Sequence, residues 1–392
     1  MTHHIVVLGA GYAGAIAAGR LAKRLHRDDV EITLVNADPD FVERVRLHQL
    51  AAGQDLPLRP LRKIFAGTGV QVRIARVESV DADRKTVDLI GEQGAETLTY
   101  DTLVYALGST VADFDVPGVA EHAHQVASKQ AALRLRERLN QLRAGETVLI
   151  VGGGLTSIEI ATEIAEARPD LRVAMAARGG VGDWLDEKAR DHLRGAFERF
   201  GITVHEQAEV ISVTEDGVTT RSGARLLARM TVWTAGFTVH PIAAASTLTV
   251  SETGRIVVDA TQRSVSHPDV YAVGDAAHAA GVGGKTLRMG CATASPMAWL
   301  GADALAARLT GRPVPDAPIG YYSQCISLGR RDAIVQKVTK EDQPTSKVEV
   351  GRMAARVKEL ICSGTAWSVK HPTLLVPSRR RRLVETDAMA TA

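Results

Sequence analysis

The stretch His3-His4-Ile5-Val6-Val7-Leu8-Gly9-Ala10-Gly11-Tyr12-Ala13-Gly14 decides how the rest of the chain is read. Its first half is an apolar run, β-branched at the centre, and predicts a strand. Ala15 to Leu25, rich in Ala and Leu, predicts a helix. The glycines between them stand at the spacing of a dinucleotide-binding turn. Gly9 allows the tight turn, Gly11 lets a pyrophosphate approach a backbone without a Cβ, and Gly14 lets the helix pack close to the strand. Tyr12 and Ala13 share the turn, where the helix N-terminus offers free N–H groups and a partial positive charge to phosphate.

The same pattern returns. Thr147 to Val151 predicts a strand, Gly152-Gly153-Gly154-Leu155-Thr156-Ser157 a turn, and Ile158 to Ala165 a helix. Gly152 matches Gly9, Gly154 matches Gly11, and Ser157 stands where the third glycine would be. Two copies of the pattern predict two nucleotide sites in two Rossmann-like units.

The strands that follow each turn bear on which nucleotide is bound. Val30 to Val35 ends at Asn36, where an acidic residue usually holds the ribose hydroxyls. Asn36 can hydrogen-bond a hydroxyl without charge assistance, or it can serve the Asn-Ala-Asp-Pro turn alone. The strand after the second turn ends at Ala177-Arg178. An arginine with no acidic neighbour suits a 2′-phosphate and hence NADP(H); the alternative is an arginine exposed to solvent.

Between the two patterns, Phe41 to Leu50, closed by Ala51-Ala52-Gly53, predicts a helix. Arg44, Arg46 and His48 on it could face the cofactor or form a solvated face. Val70 to Ile74 and Thr86 to Leu89 predict strands, and Val77 is a further candidate contact for the first nucleotide. Tyr100 to Tyr105 runs into the small-residue turn Ala106-Leu107-Gly108-Ser109, and small residues there permit close approach of a ligand. Met230 to Ala235-Gly236 repeats the theme. Lys129 to Leu142 and Asp186 to Phe200 predict helices. Val270 to Val273 leads into Gly274-Asp275, which places a carboxylate beside a helix N-terminus, where it can accept hydrogen bonds from a polyol. Gly290 to Leu309 predicts a helix with Pro296 inside it. Val348, Val350, Met353, Val357, Leu360 and Ile361 give an amphipathic helical stripe, with Arg352, Arg356 and Lys358 around it. Such a stripe docks on its own protein or lies on an anionic membrane. Leu374 to Val376 and the Arg379–Arg382 run read as a solvated tail.

The 392 residues are 45% hydrophobic and 23% charged, a globular composition long enough for two or three domains. A net charge of +2 makes no electrostatic case for nucleic acid. No apolar run reaches the roughly 18 residues of a spanning helix. The chain runs straight into a strand without a signal peptide. Three cysteines, Cys291, Cys325 and Cys362, lie far apart in sequence and fit a reducing cytoplasm without a disulfide framework. No metal-ligand spacing and no Ser/His/Asp set competes with nucleotide chemistry.

These landmarks, in this order, resemble the FAD- and pyridine-nucleotide-dependent oxidoreductases with two dinucleotide-binding domains, and most of all the type II NADH dehydrogenases. The resemblance spans roughly residues 4 to 310. It rests on Gly9/Gly11/Gly14, Ala106-Leu107-Gly108, Leu155 to Glu159 and Val273-Gly274-Asp275. It implies an α/β protein with two Rossmann-like domains, glutathione-reductase-like with a three-layer ββα arrangement, plus a small C-terminal segment. The expected division is a first FAD-binding part over 1–110, an NAD(P)-binding domain over 111–245, a second FAD-binding part over 246–320 and a C-terminal segment over 321–392. The first fingerprint then holds FAD and the second NAD(H) or NADP(H). Gly274 and Asp275 meet the ribityl–phosphate chain, and Glu159 is the carboxylate near nicotinamide and flavin.

Three departures from that family stand out. No closely spaced cysteine pair exists, which excludes a dithiol relay. The helix from Gly290 reads Cys291-Ala292-Thr293-Ala294-Ser295-Pro296-Met297, where the type II enzymes carry glutamines lining a quinone site. Ser157 replaces a glycine. The expected activity is hydride transfer from NAD(P)H, with NADPH favoured, through FAD to a small quinone-like acceptor. That acceptor would rest on a floor of Cys291, Ala292, Ala294 and Met297, with the Val348–Ile361 helix walling the pocket. Cys291 itself reads as a small buried hydrophobe. The alternatives are a reductase of a ferredoxin-like protein, a flavin monooxygenase and a nucleotide-sensing flavoprotein. A cytoplasmic monomer or homodimer follows, with peripheral membrane contact through the C-terminal segment as the other placement.

Overall fold

In the computed structural model, which describes residues 2–315, 317–372 and 379–384, the opening run forms β1 (His3–Leu8) and the Ala-rich segment forms α1 (Tyr12–Arg24). β2 (Val30–Asn36) lies parallel to β1, Ile5 beside Ile32 and Leu8 beside Val35. The single helix expected over Phe41 to Leu50 is instead a 3₁₀ turn (Arg44–Arg46) and a short α2 (Leu47–Ala51), followed by α3 (Leu61–Ile64). The cause lies at the segment's ends. Phe41 N–H donates to the Arg59 carbonyl and Leu61 N–H to that of Pro39, so the chain is extended where the helix should start.

β3 (Val70–Asp81) is longer than its apolar centre suggested. Its first half pairs with β2 as far as Ile74; beyond that it pairs only with β4 (Thr86–Gly91), which pairs with β5 (Gly94–Thr99), a strand the sequence did not signal. One strand thus belongs to two layers, giving the ββα arrangement. β6 (Thr102–Tyr105) completes the first pass beside β1.

The chain then leaves through β7 (Ser109–Val111), α4 (Val119–His122), β8 (Ala123–His124) and α5 (Lys129–Gln141), whose first turn is capped by the Ser128 side chain. The second fingerprint forms β9 (Thr147–Val151) and α6 (Leu155–Ala167). After β10 (Arg172–Ala176) comes α7 (Glu187–Phe200), capped by Asp186, and then β11 (Thr203–His205). The meander β12 (Val210–Thr214), β13 (Gly217–Thr220) and β14 (Arg225–Leu227) leads to β15 (Met230–Trp233). The second sheet is parallel, in the order β11-β10-β9-β15-β8. β16 (Phe237–Val239) returns antiparallel to β7, so the outgoing and incoming chains are stitched together.

After β17 (Ile256–Val257) the chain re-enters the first sheet as β18 (Val270–Ala272), beside β6. That sheet reads β18-β6-β1-β2-β3-β4-β5. β19 (Ala277–His278) pairs with β17, and α8 (Cys291–Leu309) packs along α1. The seam between these helices holds a charged clamp. Arg20, buried on α1, donates from Nε and Nη2 to both oxygens of Asp303 at 2.7 and 2.6 Å, and from Nη1 to the Pro372 carbonyl at 2.7 Å.

The C-terminal segment is an antiparallel sheet of β20 (Ser323–Ser327), β21 (Ala333–Val338) and β22 (Pro344–Val350), followed by α9 (Arg352–Lys370). Two expectations fail here. Val348 and Val350 belong to β22, because Gly351 at φ +82° breaks the run before the helix. The helical part of the stripe also does not dock on its own protein, the first of its two expected placements. Ala354, Lys358, Ala366 and Val369 face inward, whereas Met353, Val357, Leu360, Ile361 and Trp367 are exposed. Small residues on the inner face let the helix backbone lie close to β21, and the bulky apolar stripe is left outside.

The arginine run is docked rather than solvated. Arg380 Nε donates to the Ala22 carbonyl, Arg381 N–H donates to that of Arg24, and Arg382 pairs with Asp28 and Asp29. Cations and donors at the C-terminal end of α1 meet its unpaired carbonyls and the negative end of its dipole. Leu374 to Val376 lie outside the described residues.

Candidate functional site

The two glycine turns have the same internal logic. A Cβ at Gly9 would collide with the Ala106 carbonyl, and one at Gly14 with the Gly9 carbonyl. These two glycines therefore serve the contact between strand, helix and neighbouring strand. Gly11 differs: a Cβ there would meet no protein atom within 4 Å. In the second turn Gly152, at φ +137°, crowds the Ser157 Oγ and the Thr234 carbonyl, while Gly154 opens onto empty space. Ser157 is fully buried and hydrogen-bonds Thr234 Oγ1 at 2.9 Å, so its hydroxyl takes over the close packing of the third glycine. Each turn thus leaves one open cradle at a helix N-terminus, which is the shape a pyrophosphate requires. Leu155 and Thr156 form the half-buried first positions of α6.

Around the first cradle the residues singled out from sequence converge. The Asn36 Oδ1 accepts the Ala10 N–H at 2.8 Å and its Nδ2 donates to the Asp38 carbonyl, so the side chain braces the glycine turn. Val77 is buried on the part of β3 that runs past the end of β2, where it pairs with Leu89 of β4. Gly274, at φ +73°, abuts Ala13. Asp275 accepts the Gly290 N–H at 2.9 Å and the Ser109 hydroxyl at 2.6 Å, tying the start of α8 to β7. Arg44 donates to the Ser109 carbonyl at 2.7 Å, lies 4.0 Å from Asp275 and covers the Phe237 ring. Gly108 takes φ +71° beside it, and Ala106 is buried at the end of β6. Around the second cradle, Arg178 is exposed at the end of β10, and Gly236 holds the Phe114 ring against its Cα.

On the first turn of α8, Cys291 and Ala292 are exposed, whereas Ala294 and Met297 are buried. Only the first two of the four expected floor residues reach a surface, and Cys291 is no buried hydrophobe. Its thiol nevertheless sits deep among protein atoms. Burial pushes it up to about 11, with Cys362 and Cys325 adding to the rise, so it stays protonated near neutral pH.

Glu159 lies where α6, α2 and α9 meet. Its carboxylate contacts the ammonium of Lys358 from α9 and accepts the Ser327 N–H at 3.1 Å. His48 of α2 places Nδ1 3.8 Å from the other carboxylate oxygen, and its Nε2 has no partner among the described residues. Burial, with the nearby Lys358 and Arg46 charges, holds His48 well below its ordinary value, so it is neutral. Burial also pulls Lys358 down to about 8, while contact with a carboxylate favours its charged form. The pair can hold a proton and release it close to physiological pH.

Three participants were not visible in the sequence. Lys358 looked like a flanking cation of the apolar stripe. Ser109 was a small turn residue. Arg255, buried, donates to the carbonyls of Asp275, Ala277 and Leu287 and so fixes the Gly274-Asp275 turn. An isolated arginine before a strand carries no signal for that role.

The comparisons with known proteins agree with this fold. The family model "Pyridine nucleotide-disulphide oxidoreductase" matches residues 3–302. A NADH dehydrogenase-like protein of Mycobacterium tuberculosis is 30% identical over 355 residues, covering 84% of this chain and 86% of that protein. The demethylphylloquinone reductase of Synechocystis is 25% identical over 348 residues, covering 84% and 86%. Among solved structures, NDH2 of Plasmodium falciparum in complex with NADH superposes with a TM-score of 0.77 at 14% identity, covering 95% of this chain and 96% of that one. Two glycine cradles and a family match over most of the chain have one conclusion: the protein is a FAD- and NAD(P)H-dependent oxidoreductase and belongs to the pyridine nucleotide-disulphide oxidoreductase family.

Proposed function

We propose that the protein is a NAD(P)H:quinone oxidoreductase whose acceptor is a small quinone, bound where the first turn of α8 faces α9. The observation that carries this reading is the part-buried Glu159–Lys358 pair at the junction of both nucleotide-binding units and the C-terminal segment. FAD held at Gly11, Gly274 and Asp275 supplies two-electron transfer between nicotinamide and acceptor. The chain's own residues supply position and protons. Gly154 and the N–H groups of α6 receive the second pyrophosphate. Arg178 reaches a 2′-phosphate and makes NADPH the preferred donor. Lys358 holds a proton beside the acceptor. The relatives' names, NADH dehydrogenase-like protein and demethylphylloquinone reductase, support quinone over ferredoxin.

Quinones partition into lipid, and the outward face of α9 suits a lipid surface. Met353, Val357, Leu360, Ile361 and Trp367 are exposed along it, with Arg352 and Arg356 beside them. An apolar stripe flanked by cations binds the interface of an anionic bilayer. No described helix is long and apolar enough to cross a membrane, so the contact is peripheral.

Anaerobic reduction by NADPH or NADH, followed by mixing with a short-chain quinone, ferredoxin or oxygen, tests the reading. Quinone should reoxidise the enzyme fastest, and Arg178→Ala should lower kcat/KM for NADPH while sparing NADH. Faster reoxidation by ferredoxin would replace this acceptor.

A further inference from the structure

One face of α6 carries more carboxylates than the Lys358 pair needs. Glu159, Glu163 and Glu166 follow one another at helical spacing, all turned toward the loop between β20 and β21. The three differ in surroundings. Glu159 is paired with Lys358 in the interior. Glu166 lies at the rim and accepts the Arg330 N–H at 2.7 Å. Glu163, between them, is 1% exposed. Its Oε1 is contacted by the Gln54 amide and receives the Arg330 Nε at 3.2 Å; its Oε2 is buried with no hydrogen-bond partner among the described residues.

An ionised carboxylate with one oxygen buried and unpartnered is costly, and the neutral acid, which buries no charge, lowers that cost. The groups facing Glu163 are Arg330 from the loop, Glu166 from its own helix and Gln54 from the segment after α2. Burial is the largest influence and raises its carboxyl above the ordinary value; Arg330 opposes this and Glu166 adds to it. Arg330, which donates to Glu163 Oε1, is half exposed, so a single side chain separates the buried carboxyl from solvent. Glu159 lies one turn earlier on the same helix. Side chains four apart on one face have Cβ atoms about 5–6 Å apart, which one water can bridge.

We infer that Glu163 is the proton reservoir of the site: it holds a proton in the folded protein and reloads the Glu159–Lys358 pair from solvent. The inference rests on the quinone reading above. Reduction of a quinone to a hydroquinone takes up a hydride equivalent, which NAD(P)H supplies, and one further proton, which comes from the Lys358 ammonium. The neutral amine is then reprotonated by the Glu163 carboxyl, through the Glu159 carboxylate. The Glu163 carboxylate left behind takes a proton from water at the Arg330 edge. The balance is one solvent proton per quinone, with no change in the charge of the chain. Glu163 acts through Glu159 and Lys358 and is a positioning residue for their proton.

Two measurements on the FAD-loaded enzyme test this. The first needs no turnover. Infrared difference spectra of Glu163→Gln against wild type at near-neutral pH should show loss of a protonated-carboxyl stretch that shifts in deuterium oxide. The second is stopped-flow. In Glu163→Gln, reduction by NADH and the first reoxidation by a short-chain quinone should be unchanged, while the following turnovers should slow about tenfold with an altered solvent isotope effect; Glu163→Asp should restore both. A difference spectrum without that band, or an unaltered isotope effect, overturns the reservoir. Should quinone fail to reoxidise wild type at all, the acceptor reading falls, and the band alone decides whether Glu163 holds the proton.

Discussion

Gly11 and Gly14 look alike in sequence and do different work. A side chain at Gly11 enters open space that the pyrophosphate needs, whereas one at Gly14 enters the Gly9 carbonyl. Gly11→Val should therefore purify folded but colourless, with wild-type circular dichroism and no bound FAD. Gly14→Val should fail to accumulate as soluble protein. Full flavin content in Gly11→Val would remove the first fingerprint from the cofactor site. Lys358 sets a pH dependence of known sign. Burial pulls its ammonium to about 8, so the proton donor is lost as pH rises through that value. Reoxidation by quinone should fall above about pH 8, and Lys358→Met should give a slow, flat profile. Glu163 is shifted the other way. The folded state keeps its proton where the unfolded chain has released it. The stability from this group is full below the unfolded carboxylate value, about 4.3, and is lost as pH rises toward the folded one. Glu163→Gln keeps the neutral shape, so its melting temperature should gain on that of wild type as pH rises from about 4 to about 7. At this scale the glycines were readable because backbone geometry restricts a turn to them. The partners of Glu159 were not, because a lysine in a helix looks the same on either face.

Among elements, α9 shows where periodicity stops being informative. The stripe from Met353 to Ile361 has the spacing of a buried helix face, and it is the face left outside. The side that packs carries Ala354 and Ala366, with Lys358 between them reaching Glu159, and Leu360, 73% exposed, points away from it. The exposed face predicts a concentration-dependent contact with lipid. Wild-type protein should cosediment with anionic phospholipid vesicles, and a Leu360→Glu/Trp367→Glu double variant should remain in the supernatant with its flavin intact. Equal sedimentation of both would assign that face to another partner. The α2 segment missed its expected length for a related reason. Its apolar residues have helical spacing, but a backbone bridge between Asp40 and Pro60 holds the chain extended at the point where the helix would begin. Pairings between distant segments leave no mark in a local window. The long β3 was read short for the same cause, since only its first half carries a dense apolar pattern while its second half pairs with β4.

Across the whole molecule, the sequence showed two repeated units because each fingerprint is local and complete within a few residues. The C-terminal segment was not legible in this way. It contributes Lys358 to the site and otherwise works as a tie. Its sheet meets α6 through Ser327 and Arg330 and α7 through Asp332, which pairs with His192 and Arg199. Arg46 beside α2 makes a bidentate contact with Glu359 of α9 at 2.8 and 2.6 Å. The arginines beyond α9 then reach back to α1.

That last contact links two segments 358 residues apart in sequence, Ala22 and Arg380. Without Arg380 and Arg381 the Ala22 and Arg24 carbonyls lose their covering donors. A cut between α9 and Arg379 should therefore be felt at the other end of the chain's numbering, as faster amide exchange around Leu25.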